Sequence, residues 1–205
     1  MKNLELWDAC GNRVIIAQKE NMDLMTSLSI SFKNEVAALL QTYKADTMML
    51  CSTDGKVVRV LESDLSESNM CGNGIRAVYK YFTGLNHVYL TLAGKVECHL
   101  LNDGNVSVKM GRVNLHGQIK YKGFNLYLSD VGEPHAVLLV DDIAQADLIF
   151  NNHGFSFVNT FFDEFDTNFN LNIVEVVNNQ LLIQRTFERG VNAETLACGT
   201  GATCS

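Results

Sequence analysis

The sequence predicts a mixed α and β fold built as two similar halves. Two observations carry this expectation. An octet of the form Glu-x-x-x-Cys-Gly-x-Gly occurs at Glu67–Gly74 and again at Glu194–Gly201, each time followed by residues able to start a helix. The rest of the chain reads mostly as short strands separated by Asp-Gly and Ala-Gly turns, with helical apolar spacing in few places. A length of 205 residues fits one large domain or two small ones. With one proline and no low-complexity linker, the division rests on the repeat: residues 1–114 carry Cys71 and residues 115–205 carry Cys198.

Taken in order, residues 3–7 and 13–18 read as strands flanking Cys10-Gly11-Asn12. Phe32, Val36, Leu39, Leu40 and Tyr43 fall on one helical face, with Ser31 as the expected N-cap. Thr47 to Ser52 and Lys56 to Glu62 form a hairpin across Asp54-Gly55. After the first octet, Ile75, Val78, Tyr79 and Phe82 sit at helical spacing, and Gly84 closes that helix. Residues 87–92, 95–101 and 105–110 read as a meander. In the second half, strands are expected at 119–122, 125–128, 136–140, 171–177 and 180–187, with a short helix beginning near Asp141-Asp142. The second octet is followed only by Ala202-Thr203-Cys204-Ser205, so its helix has room for about one turn and the second half reads as truncated.

A hydrophobic content of 47% is enough for a real core. A net charge of −7 leaves no basic stripe to meet phosphates, which argues against a nucleic-acid partner. No apolar run approaches the roughly 18–20 residues that span a bilayer, and no secretory leader pattern opens the chain. A cytoplasmic location, away from membranes, is therefore expected. There the six cysteines are better read as reduced thiols than as a disulfide framework.

The octets carry the chemistry. Glycine allows close backbone approach. A helix starting there aims unpaired N–H groups and a partial positive charge forward, holding a carboxylate and lowering the pKa of a neighbouring thiol. Two such octets offer one acid and one base, which fits stereoinversion at a carbon next to a carboxylate without a covalent intermediate. Metal ligation is disfavoured, because neither octet holds a second cysteine within zinc spacing. Cys10, Cys51, Cys98 and Cys204 read as small hydrophobic residues. His135, at a strand start, is either a structural hydrogen-bonding residue or a group that tunes a thiol. Glu188-Arg189 is either a solvated charge pair or part of the site. His87, His99, His116 and His153 show no spacing pattern.

Met70-Cys71-Gly72-Asn73-Gly74-Ile75-Arg76, Glu188-Arg189-Gly190 and Glu194-Thr195-Leu196-Ala197-Cys198-Gly199-Thr200-Gly201-Ala202 resemble the two signatures of diaminopimelate epimerases. Gly11-Asn12, Gly132-x-Pro134-His135 and Asn170-Leu171-Asn172-Ile173 add matches in the same order. The resemblance implies two similar domains related by a pseudo-twofold, each a mainly antiparallel sheet around a central helix, with the substrate in the cleft. It implies a racemase or epimerase that uses neither metal nor pyridoxal phosphate nor any other cofactor. Its partners would be a small amino-acid substrate and, as the candidate assembly, a second copy in a homodimer. By the match, Cys71 and Cys198 are the acid/base thiols, and His135 and Glu188 assist their deprotonation. Asn12, Gly72, Asn73, Gly199 and Thr200 surround the reacting end, while Asn170 and Arg189 hold the far end.

The sequence departs from the pattern at that far end. Glu133 and Glu62 stand where the family has asparagines, and Thr47 where it has a glutamine. Added carboxylates disfavour a second substrate carboxylate and favour a cationic tail. LL-diaminopimelate, converted to the meso form in lysine biosynthesis, is the default substrate. The alternatives are a basic amino acid such as histidine, lysine or ornithine, a proline-racemase-type substrate, or a catalytically dead binding module.

Overall fold

β2 (Asn12–Lys19) carries Val14, Ile15, Ile16 and Ala17 in succession, and β3 (Thr47–Ser52) carries Met48, Met49, Leu50 and Cys51. Apolar runs without alternation need cover on both faces. The computed structural model, which describes residues 1–205, leaves all eight side chains fully buried. The chain divides into two compact units, Met1–Gly111 and Arg112–Ser205.

In the first unit, β1 (Lys2–Ala9), β2, β3, β4 (Val58–Glu62) and β5 (Glu67–Ser68) form one sheet in that order. Only β2 and β3 pair in parallel, and α1 (Ile30–Tyr43) makes the crossover between them. Val36 and Leu40 of α1 cover Ile15, Ala17, Met48 and Leu50 on one face. On the other face, Ile75, Ala77 and Val78 of α2 (Gly72–Tyr81) pack with Val14, Ile16, Met49 and Val60. The same cluster takes in Tyr89, Val96 and Val106 from the three-stranded sheet of β6 (Val88–Thr91), β7 (Gly94–Leu100) and β8 (Val106–Lys109). α2 is thus the central helix of this unit, and each fully buried aliphatic residue contributes about 1.5–3 kcal/mol. Ser29, not Ser31, caps α1, because its hydroxyl accepts from Phe32 N at 3.2 Å. Gly84 closes α2 as expected: with φ +71°, its N–H reaches Tyr79 O at 2.9 Å.

In the second unit, β9 (Asn114–Tyr121), β10 (Phe124–Asp130), β11 (Pro134–Val140), β12 (Asn170–Asn178), β13 (Leu181–Glu188) and β14 (Ala193–Thr195) form a six-stranded sheet, ordered β14-β13-β12-β11-β10-β9. Again one pair alone, β11 with β12, is parallel. Its crossover is α3 (Gln145–Ile149), a π turn (Phe150–Gly154) and α4 (Phe155–Asn159). Phe150, Phe157, Phe169 and Phe187 pack there on Leu126, Leu138, Leu171 and Ile173. This helical stretch is longer than the short helix expected from Asp141-Asp142, because the π turn shifts the 3.6-residue apolar period partway along it.

The two units therefore repeat one order: strand, helical crossover, three strands, cysteine, helix. β5 precedes Cys71 and α2, and β14 precedes Cys198 and α5 (Gly199–Cys204). In the first unit the three-stranded sheet follows α2.

Candidate active site

Each octet first lays down a short edge strand, then ends it at a cysteine that caps a helix. Cys71 has φ −127° and ψ 108°, and its sulfur accepts from Gly74 N at 3.3 Å. Cys198 has φ −127° and ψ 109°, and its sulfur accepts from Gly201 N at 3.4 Å. The glycines that donate these bonds are required by space. A Cβ on Gly74 would overlap the Met49 thioether, and one on Gly201 would lie 2.8 Å from Asn172 Oδ1.

The glutamate that opens each octet has a role that the sequence reading did not assign. Glu67 pairs bidentately with Arg59 of β4, both bonds at 2.8 Å, and Glu194 pairs bidentately with Arg185 of β13, both at 2.6 Å. An arginine eight or nine residues before each glutamate was the available signal. The pair pins the strand that delivers the cysteine.

Around Cys198 the second unit gathers three of the expected residues. Thr200 Oγ1 lies 3.4 Å from the sulfur, and His135 Nε2 lies 2.9 Å from that hydroxyl. Glu188 hydrogen-bonds the thiol and also accepts from Thr195 Oγ1 at 2.5 Å. Behind His135, Asn172 Oδ1 faces Nδ1 at 3.3 Å. The expected lowering of this thiol's pKa is overturned. Burial pushes Cys198 up to about 12, the Glu188 carboxylate adds to that, and the Thr200 and Gly201 contacts only partly offset it. A single N–H at a six-residue helix does not outweigh desolvation.

His135 is completely buried, and burial lowers its pKa to about 4, with the Arg189 charge acting in the same direction against the Asn172 and Asp130 contributions. It is a neutral imidazole. The sign of the linkage follows: the unfolded chain binds this proton at higher pH, so stability is complete above about pH 6.5 and falls as pH drops toward 4. The full loss is roughly 3 kcal/mol. Urea midpoints measured from pH 7 to pH 4 should fall accordingly, and His135→Gln should flatten that dependence.

Glu133 and Arg189 are joined at 2.5 Å. The Arg189 guanidinium also donates to Thr167 Oγ1, Asn168 O and Asn168 Oδ1. Asn170 accepts from Arg189 N at 2.9 Å and donates to Pro134 O at 3.3 Å. In the first unit, the carboxylate of Glu62 accepts from Thr47 Oγ1 at 2.8 Å and Ser68 Oγ at 2.7 Å. Asn73 is buried at the start of α2, and Arg76 reaches its Oδ1 at 3.4 Å. Asn12 Oδ1 is buried and accepts no hydrogen bond within the protein, a position suited to a ligand's donor. No group of three or more His, Cys, Asp or Glu side chains is placed to hold a metal ion.

No protein-family model matches the chain. It is 38% identical over 144 residues to a diaminopimelate epimerase of a Nitratiruptor species, covering 68% of this chain and 54% of that one. It is 33% identical over 169 residues to a diaminopimelate epimerase of Methanocella arvoryzae, covering 72% and 59%. The chain is a relative of diaminopimelate epimerases. It spans less than two thirds of the length of these curated relatives. Among solved structures, a hydroxyproline epimerase from Agrobacterium vitis superposes with a TM-score of 0.65 at 14% identity, over 98% of this chain and 75% of that one. A phenazine biosynthesis protein of the PhzF family from Bacillus anthracis superposes with a TM-score of 0.60 at 12% identity, over 97% and 75%. These two likenesses give the fold.

Proposed function

We propose that this chain carries the two acid/base thiols of a pyridoxal-phosphate-independent amino-acid racemase or epimerase. The observation that carries the reading is the matched setting of Cys71 and Cys198, each an N-cap with the same backbone conformation and its sulfur on the N–H three residues ahead. One thiolate removes the α-proton, and the other thiol returns a proton to the opposite face. The amides that follow each cysteine steady the carboxylate as charge builds on it. The buried acceptor of Asn12 is suited to the substrate's ammonium group.

LL-diaminopimelate is the first substrate to test, as the relatives' name directs. One observation favours a substrate without a second carboxylate. Arg189 already holds the carboxylate of Glu133, so its charge is matched inside the protein. Exchange of the α-proton in D₂O, followed by NMR across LL-diaminopimelate, histidine, lysine, ornithine and proline, separates these readings. Exchange with at least one of these compounds is expected, and a reduced protein that exchanges none of them rules out the enzymatic reading. No helix of the protein is long and apolar enough to cross a membrane.

A further inference from the structure

The polar atoms behind Cys198 form a chain whose proton positions can be assigned by donors and acceptors. Asn172 Nδ2 donates to Gly201 O at 3.2 Å, and a carbonyl can only accept, so the amide orientation is fixed. Asn172 Oδ1 then faces His135 Nδ1 at 3.3 Å and Thr186 Oγ1 at 3.1 Å. His135 must therefore carry its proton on Nδ1, which leaves Nε2 as an acceptor. The hydroxyl of Thr200, 2.9 Å away, donates to Nε2 and turns a lone pair toward the Cys198 sulfur at 3.4 Å. His135 and Asn172 are completely buried and Thr200 is nearly so, which makes a broken link costly at every step.

We propose that Thr200 is a positioning residue that relays the proton of Cys198 to His135. The S–H bond breaks as a new O–H bond forms on Thr200, and the former Thr200 proton passes to His135 Nε2. The products are a thiolate that accepts from Thr200 and an imidazolium held by Thr200 and Asn172, with every buried polar atom still paired. Simple rotation of the hydroxyl toward the sulfur would instead leave Nε2 buried without a donor. At rest the proton stays on sulfur, since desolvation disfavours both ions. The charged groups facing the relay are Glu188 of β13, which acts on the sulfur, and Arg189 and Asp130, which act on the imidazole. Glu188 is the competing acceptor for the same proton.

The inference rests on Cys198 being a working thiol of the racemase reading, but its test needs no substrate. The rate of Cys198 alkylation by iodoacetamide, resolved by peptide mass spectrometry from pH 6 to 10, reads thiolate formation directly. Thr200→Val should slow it roughly ten- to hundredfold at neutral pH, the worth of one hydrogen bond to a charged group, and move the profile to higher pH. Thr200→Ser should restore it. A Thr200→Val profile that superposes on the wild type, with Glu188→Gln alone slowing the reaction, would falsify the relay. Should Thr200→Val not fold, imidazole ¹⁵N shifts of the wild-type protein decide: an unprotonated Nε2 on His135 is expected, and a proton on Nε2 overturns the assignment. Absence of α-proton exchange in the substrate panel would count against the racemase reading and leave these two results standing.

Discussion

Replacing Cys198 or Cys71 by serine will lower α-proton exchange about 10³-fold, within the 10²–10⁴ range that a positioned acid or base contributes. The substitution isolates the chemistry from the fold. Both cysteines act as N-caps through the sulfur, and serine is among the preferred residues at that position. The hydroxyl can accept from Gly74 N or Gly201 N as the thiol does, so thermal unfolding of each variant should match or slightly exceed the wild type. What serine cannot do is exchange a proton with a carbon acid near neutral pH, because its hydroxyl is far less acidic than a thiol. Isotope exchange and unfolding measured on the same preparations give the check. Exchange within tenfold of the wild type in both variants removes the two-thiol mechanism.

The fold was legible where patterning is local. The apolar runs of β2 and β3 announced strands, and the spacing of Val36, Leu40 and Tyr43 announced α1. Its cap was misplaced because Ser29 and Ser31 both suit that position by type, and only the bond from Phe32 N distinguishes them. The crossover through α3 and α4 was mostly hidden by its π turn. The site was legible as a set of residue types but not as a circuit. His135 and Thr200 are 65 positions apart, and nothing local says that they meet. Asn172, which fixes the tautomer of His135, looked like an ordinary strand residue. The thiol was misread for a related reason. A Gly-x-Gly after cysteine is visible in the sequence and argues for a low pKa, whereas desolvation depends on long-range packing and here reverses the sign.

The octet glutamates yield the largest expected effect on stability, and the two copies should behave differently. Arg59 is nearly buried, at 4% exposure, and besides its two bonds to Glu67 it donates to Thr26 O at 2.6 Å. Arg59→Ala strands the Glu67 carboxylate in a half-buried place and leaves Thr26 O without this donor. Loss of one partner of a buried pair costs about 3–5 kcal/mol, with Lys33 Nζ at 3.9 Å from Glu67 placing the value toward the lower end. Arg185 makes the same fork with Glu194 and adds Asp147 at 2.7 Å, but Glu194 is 37% exposed and Asp147 70%. Water replaces what Arg185→Ala removes, so about 0.2–1 kcal/mol is expected. Urea denaturation of both variants tests this. Equal losses would mean that the motif's geometry sets the energy; a loss several times larger at Arg59 means that burial does. The same comparison bears on Cys71, since Glu67 anchors the edge strand that runs into it: Arg59→Ala should loosen the first octet before the protein unfolds, and amide exchange at Gly74 should rise in that variant while Gly201 in Arg185→Ala changes little.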